Sequence, residues 1–93
     1  MRTLKELYGL VIEEVERSPR WGICRCIISL VDNGTVTHNE FKMLEDHFDS
    51  IPRPTAESHP HLAEYLTESC FYFQYGLKEP RITFLKEIQN SLP

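Results

Sequence analysis

An aromatic residue among arginines is the feature of this 93-residue chain with the most specific chemistry. Trp21 directly follows Arg20 and precedes Arg25 by four positions, and no acidic residue occurs between positions 17 and 31. A guanidinium group binds phosphate or carboxylate through paired hydrogen bonds, and an indole ring offers a face for stacking. Arginine and tryptophan are also enriched at the energetic centres of protein–protein interfaces. We therefore expect this segment to bind an anion or a protein, with a solvated helix end as the alternative.

A second candidate lies in the aromatic stretch ESCFYFQYGLKEPRITFL at positions 68–85. On a helix, Tyr72 and Tyr75 point away from the apolar stripe, so their hydroxyls can lie at a water boundary. Arg81 follows in the first turn of the next helix, where a cation is mildly unfavourable. We expect it to have a partner there: a carboxylate, a helix C-terminus, a bound anion or another protein. The candidate binding residues are Arg20, Trp21, Arg25, Tyr72, Tyr75 and Arg81.

The segment SLVDNGTVTHNEF at positions 29–41 resembles a calcium-binding EF-hand loop. Gly34 then occupies the turn position, and Glu40 occupies the terminal bidentate position. The first and third ligand positions fall on Ser29 and Val31, and neither residue supplies a carboxylate. A helix, a turn and a capping box account for the same residues, so we expect no calcium site.

Other catalytic or metal-binding arrangements are also disfavoured. Cys24 and Cys26 are two positions apart, which places them on opposite sides of a helix and prevents them from sharing a zinc ion. Cys70 has no histidine near it in sequence that could act as its base. The four glycines are isolated, so no glycine-rich phosphate loop exists. We therefore predict a protein that is not an enzyme and has no metal or cofactor.

Composition indicates an ordinary globular domain. Hydrophobic residues make up 41% of the chain and charged residues 26%, and the net charge is −4. A negative chain is a poor general ligand for nucleic acid, because affinity for the phosphate backbone requires a basic surface. The odd number of cysteines, the glutamates in the first helix and the short apolar runs favour a cytoplasmic protein without a secretory signal or membrane span.

Helical periodicity runs through most of the chain. It predicts helices over about 3–17, 19–31, 37–51, 60–75 and 80–92. Ser18 and Pro19 are expected to begin the second helix, and the apolar run CIISLV makes that helix the expected centre of the core. Thr37 and Glu40 form an expected capping box for the third helix. The fold class is therefore all-α: one domain over 1–93, a compact bundle of four to five short helices.

Three short motifs resemble a diffuse family of small uncharacterised proteins of bacteriophages and prophages. They are WGICRCI at 21–27, GTVTHNE at 34–40 and FYFQYGLKEPRITFL at 71–85. The family usually has Tyr-Trp-Trp where this chain has Phe-Tyr-Phe at 71–73. The resemblance implies a phage accessory gene product, located in the cytoplasm of the host cell, and it implies no known activity.

Three functions are expected from these observations, in order of preference. The first is a non-enzymatic accessory protein that binds a host factor, as an inhibitor of antiviral defence, with self-association also expected at its surface. The second is an oligomeric protein that sequesters a cyclic nucleotide immune signal between subunits. The third is a helix-turn-helix regulator at 23–48, which is disfavoured because its second helix is acidic and DNA would repel it.

Overall fold

The structure is a computed structural model that describes residues 1–18, 21–52, 54–60 and 78–93. The described part contains four α-helices and no strand: α1 (Leu4–Arg17), α2 (Ile23–Asp32), α3 (His38–Ser50) and α4 (Lys78–Ser91). The prediction of an all-α bundle of short helices is confirmed. The helix predicted over 60–75 lies almost entirely outside the described residues.

Capping boxes begin α1 and α3. In α1 the Thr3 hydroxyl accepts from the Glu6 N–H at 3.2 Å, and Glu6 accepts in return from the Thr3 N–H at 3.2 Å. In α3 the Thr37 hydroxyl accepts from the Glu40 N–H at 3.1 Å, and the Glu40 carboxylate accepts from the Thr37 N–H at 2.9 Å. Each reciprocal pair satisfies backbone donors that a helix start leaves open. The capping box expected at Thr37 is confirmed.

The start of α2 differs from the prediction. Ser18 is the C-cap of α1, and its backbone N–H donates to the Glu14 carbonyl at 2.9 Å. The N-cap of α2 is Gly22, so the helix begins at Ile23, four residues later than expected. Gly34 follows the end of α2 with φ of +79°, a conformation that glycine adopts without a Cβ clash.

The core of the described bundle is centred on α1, which packs against α2, α3 and α4. Among the described helices the central position is that of α1 and not, as expected, that of α2. Although α2 buries one apolar side, it leaves Ile28 49% exposed and Arg25 exposed. No helix in the described part of the chain is long and apolar enough to cross a membrane. The buried apolar residues are Leu7, Tyr8, Val11, Ile12, Val15, Ile23, Cys26, Ile27, Leu30, Val36, Leu44, Phe48, Phe84, Leu85 and Ile88.

Candidate functional site

One side of α2 is turned away from the core and forms the candidate site. We name it the α2 outer face and define it by Trp21, Cys24, Arg25, Ile28 and Asp32. Positions 25, 28 and 32 are separated by three and four residues, which places them in one row along α2, and Trp21 precedes the N-cap of that helix. The face borders a surface cleft of about 550 Å³ that Ser29 and Asn33 also line.

Trp21 and Arg25 form the most specific contact of the α2 outer face. The Arg25 guanidinium carbon lies 4.7 Å from the centroid of the Trp21 ring, within the range of a cation–π interaction. The backbone N–H of Trp21 donates to the Ser18 carbonyl at 3.0 Å, and the indole packs against the core. The ring is therefore held at one edge of the cleft while the guanidinium remains exposed.

A buried carboxylate on α1 binds residues that line the cleft beside the α2 outer face. Glu14 on α1 is 5% exposed and accepts hydrogen bonds from three side chains. The donors are Ser29 Oγ at 3.0 Å, Arg17 Nε at 3.1 Å and Asn33 Nδ2 at 3.4 Å. Since Ser29 and Asn33 line the cleft, this network fixes part of its wall to α1. Polar groups at this depth require such partners, because an unsatisfied one destabilises the fold.

Glu14 was absent from the residues predicted to be functional. A signal for its burial is present in the sequence: Leu7, Val11 and Glu14 are separated by four and three residues. That spacing places a glutamate in the apolar row of α1. Its partners Ser29 and Asn33 are 15 and 19 residues away in sequence, and no local pattern identifies them.

The predicted binding residues are divided by the structure. Trp21 and Arg25 come together on the α2 outer face, whereas Arg20, Tyr72 and Tyr75 lie outside the described residues. Arg81 is in the first turn of α4, as expected, but its side chain is 0% exposed. It therefore lies in the interior and is not part of the surface that Trp21 and Arg25 form.

The charge of Arg81 acts on Cys26, which is buried on the core side of α2. Burial raises the pKa of the Cys26 thiol to about 11, and the Glu14 carboxylate adds to the rise. The positive charges of Arg81 and Arg25 oppose it. The thiolate is the reactive form of cysteine, so a thiol with a raised pKa reacts slowly. This behaviour is typical of a cysteine with a structural role.

The residues that resembled a calcium loop have other partners. Ser29 donates its hydroxyl hydrogen bond to Glu14. Glu40 is 3% exposed and accepts from the Arg2 backbone N–H at 3.0 Å, in addition to its bond with Thr37. Backbone hydrogen bonds, chiefly that from Thr37, lower the pKa of Glu40 to about 2. Within the described ranges no group of three His, Cys, Asp or Glu side chains could hold a metal ion.

The second helix of the helix-turn-helix alternative is α3, and its described surface is acidic. Glu45, Asp46 and Asp49 are exposed, and Lys42 is the exposed lysine that approaches Asp46 at 4.0 Å. Phosphate groups would be repelled by this surface. The observation disfavours a role for α3 in a DNA groove.

A serine, a histidine and a glutamate also meet beside α4. Ser58 Oγ lies 2.7 Å from His59 Nδ1, and His59 Nε2 lies 3.0 Å from Glu87 Oε2. The same Ser58 hydroxyl accepts from the Thr55 N–H at 2.9 Å, and the Ser58 N–H donates back to Thr55 Oγ1 at 3.1 Å. The His59 ring is also edge-on to Phe84, with centroids 5.7 Å apart. These contacts close a turn and fasten it to α4, which is a structural role.

Comparison of the chain with protein-family models, curated proteins and solved structures gave no match. A functional conclusion therefore depends on geometry. The α2 outer face combines an exposed isoleucine, an indole with a guanidinium over it and a carboxylate beside one cleft. This combination of apolar, aromatic and charged groups is typical of protein-binding surfaces.

Proposed function

We propose that this protein is a non-enzymatic accessory protein of phage type that binds a host protein through the α2 outer face and thereby inhibits antiviral defence. The observation that carries the proposal is the exposure of Ile28, 49%, beside the same cleft that the Trp21–Arg25 pair lines. The phage setting comes from the sequence resemblance at 21–27, 34–40 and 71–85. Inhibition of defence is an expectation for that setting, and the experiment below tests it directly.

The described packing supports a binding role because it makes the face rigid. Core contacts hold Trp21, and the hydrogen bonds of Glu14 hold Ser29 and Asn33. A surface that is ordered before binding loses little conformational entropy when a partner docks. A large apolar residue flanked by an aromatic–arginine pair can therefore act as an anchor with charged residues at its rim.

The test uses substitutions at exposed positions, so that the bundle still folds. Ile28→Asp places a charge in the centre of the face, and Arg25→Glu reverses the charge above Trp21. Loss of a central anchor is expected to weaken binding by about 2 kcal/mol or more, which is roughly 30-fold in Kd. Glu13→Lys, at an exposed site on α1, is the matched control and should bind as the parent does.

Two measurements read out the variants. Tagged parent and variants are incubated with host lysate, the captured protein is identified, and its Kd is measured by calorimetry with purified components. Phage plating is then compared on defence-positive cells that express each variant. We expect Ile28→Asp and Arg25→Glu to lose binding and protection together. Equal affinity of both variants and the parent for the captured protein would show that another surface is used.

A second candidate function, sequestration of a cyclic nucleotide, has one observation in its favour. Trp21 and Arg25 supply a stacking ring and a phosphate-binding cation at the edge of the cleft of about 550 Å³. Asp32 lines the same cleft and would repel a phosphate, which is why we place this function second. Calorimetry with cyclic dinucleotides, together with mass spectrometry of anything released from the heated protein, separates the two. Binding that Arg25→Ala removes would favour sequestration.

A further inference from the structure

The α2 outer face has a symmetric arrangement of charge. Arg25 lies three positions before Ile28, and Asp32 lies three positions after Ser29. The two charges are therefore equidistant from the midpoint between Ile28 and Ser29, and both line the same cleft. Seven residues of helix separate them by about 10 Å along the axis.

This symmetry matters for two helices that pack antiparallel about a two-fold axis. Each residue of one helix then faces the residue of the other helix that lies at the same distance from the axis in the opposite direction along the sequence. With the axis at the midpoint of 28 and 29, Arg25 of one chain faces Asp32 of the other, and the reverse pair forms as well. Ile28 lies beside the axis and packs against Ile28 and Ser29 of the second copy. A two-fold interface requires such self-complementarity, since the same patch must bind itself.

We propose that the occupant of the α2 outer face is a second copy of this chain, packed with α2 antiparallel to α2 and joined by two Arg25–Asp32 ion pairs. This proposal rests on the proposed function, because both use the α2 outer face. It names a second copy of the chain as the first partner of that face. A parallel pair would place like charges side by side, and a phosphate ligand would be repelled by Asp32. The antiparallel second copy satisfies both charges and covers Ile28.

The size of the α2 outer face determines how strongly we expect the two copies to associate. The ten residues of α2 form a helix about 15 Å long, so a pair of them buries less than about 1,200 Å² in total. Interfaces of that size are weak and transient. We expect a monomer–dimer equilibrium that depends on concentration, and we expect dimerisation and binding of a host protein at this face to compete.

Charge reversal tests the pairing without harming the fold. Arg25 and Asp32 are exposed, and an acid near the N-terminus of α2 or a base near its C-terminus favours the helix dipole. Arg25→Asp and Asp32→Arg, taken singly, each place like charges opposite each other, and each should weaken dimerisation at least about tenfold. The double variant should dimerise as the parent does, because both pairs are restored with their signs exchanged.

Mixing the two single variants is the sharpest measurement. The mixture should form a heterodimer, because one chain then presents two acids where the other presents two bases. Sedimentation velocity with a fluorescent label on one variant detects this species. Lys42→Asp and Asp46→Arg make the same charge changes at an exposed pair on α3, and neither should alter dimerisation. In a second assay, Ile28→Cys should give a disulfide-linked dimer on mild oxidation that the parent does not give.

The outcomes separate this inference from the proposed function. A parent that stays monomeric at all concentrations overturns the inference, as does a dimer that is indifferent to Arg25→Asp and Asp32→Arg. If Ile28→Asp still abolishes capture of the host protein in either case, the proposed function stands without it. A dimer that follows the charge-exchange pattern, with host capture unaffected by Ile28→Asp, supports the inference and removes the proposed function.

Discussion

Replacing Glu14 by glutamine should destabilise the bundle more than any other single-charge neutralisation on α1. The substitution keeps the shape of the side chain and removes the charge that three donors share. The Ser29 bond, 3.0 Å long and partly buried, should account for about 1.5 kcal/mol, because hydrogen bonds to charged groups are stronger than neutral ones. The Arg17 side chain is 59% exposed, so solvent screening limits that pair to about 0.5 kcal/mol.

The Asn33 contact is long, at 3.4 Å, and we assign little to it. The sum is a loss of about 2 kcal/mol in the free energy of unfolding. A neutral amide costs less to bury than a carboxylate, so the net loss should be somewhat smaller than this sum. For a domain of this size each kcal/mol lowers the Tm by about 4–8 °C, so the expected drop is roughly 8–16 °C. This is a large fraction of the stability of a small domain.

The assay is urea unfolding followed by circular dichroism, with the free energy of unfolding extrapolated to water. Glu13→Gln is the matched control: it removes the same charge from a neighbouring exposed position, and its effect should stay within about 0.5 kcal/mol. A double-mutant cycle of Glu14→Gln with Ser29→Ala should give a coupling energy of about 1 kcal/mol. If Glu14→Gln matches the control and the coupling is zero, the network does not brace α2, and the proposed rigidity of the α2 outer face is wrong.

Three further predictions concern turns and titration. Gly34→Ala should cost about 1 kcal/mol in thermal unfolding, since φ is +79° and a Cβ there meets no neighbour, so the cost is conformational; no loss of stability would contradict this origin. Iodoacetamide at about pH 8 should modify Cys26 far more slowly than half-buried Cys24 in peptide mapping, because burial raises the pKa of Cys26 to about 11; equal rates would show that the thiol is accessible. Because backbone N–H groups lower the pKa of Glu40 from 4.5 to about 2, its stabilising effect is full above 4.5 and is lost as the pH falls towards 2. Glu40→Gln should therefore flatten the free energy of unfolding against pH over that interval, and an unchanged slope would refute the assignment.

Local patterns predicted the elements that depend on neighbours in sequence. The capping box of Thr37 and Glu40 involves residues three apart, and its backbone partners form as soon as the first turn of α3 does. The contact between Trp21 and Arg25 likewise spans four positions. The predicted start of α2 was four residues too early. The prediction took Ser18 as the N-cap of α2, whereas in the structure Ser18 is the C-cap of α1 and Gly22 is the N-cap of α2.

The sequence by itself determined the all-α class, the helix periods and the short-range pairs, because these depend on interactions within one or two turns. Only the tertiary structure decided that α1 is the centre of the described bundle, that Arg81 lies inside it, and that Glu14 meets Ser29. It also decided that Ile28, in an apolar run, stays half exposed. Burial is the sum of contacts from distant parts of the chain, so a residue's own neighbours in sequence do not fix which side of a helix the rest of the protein covers.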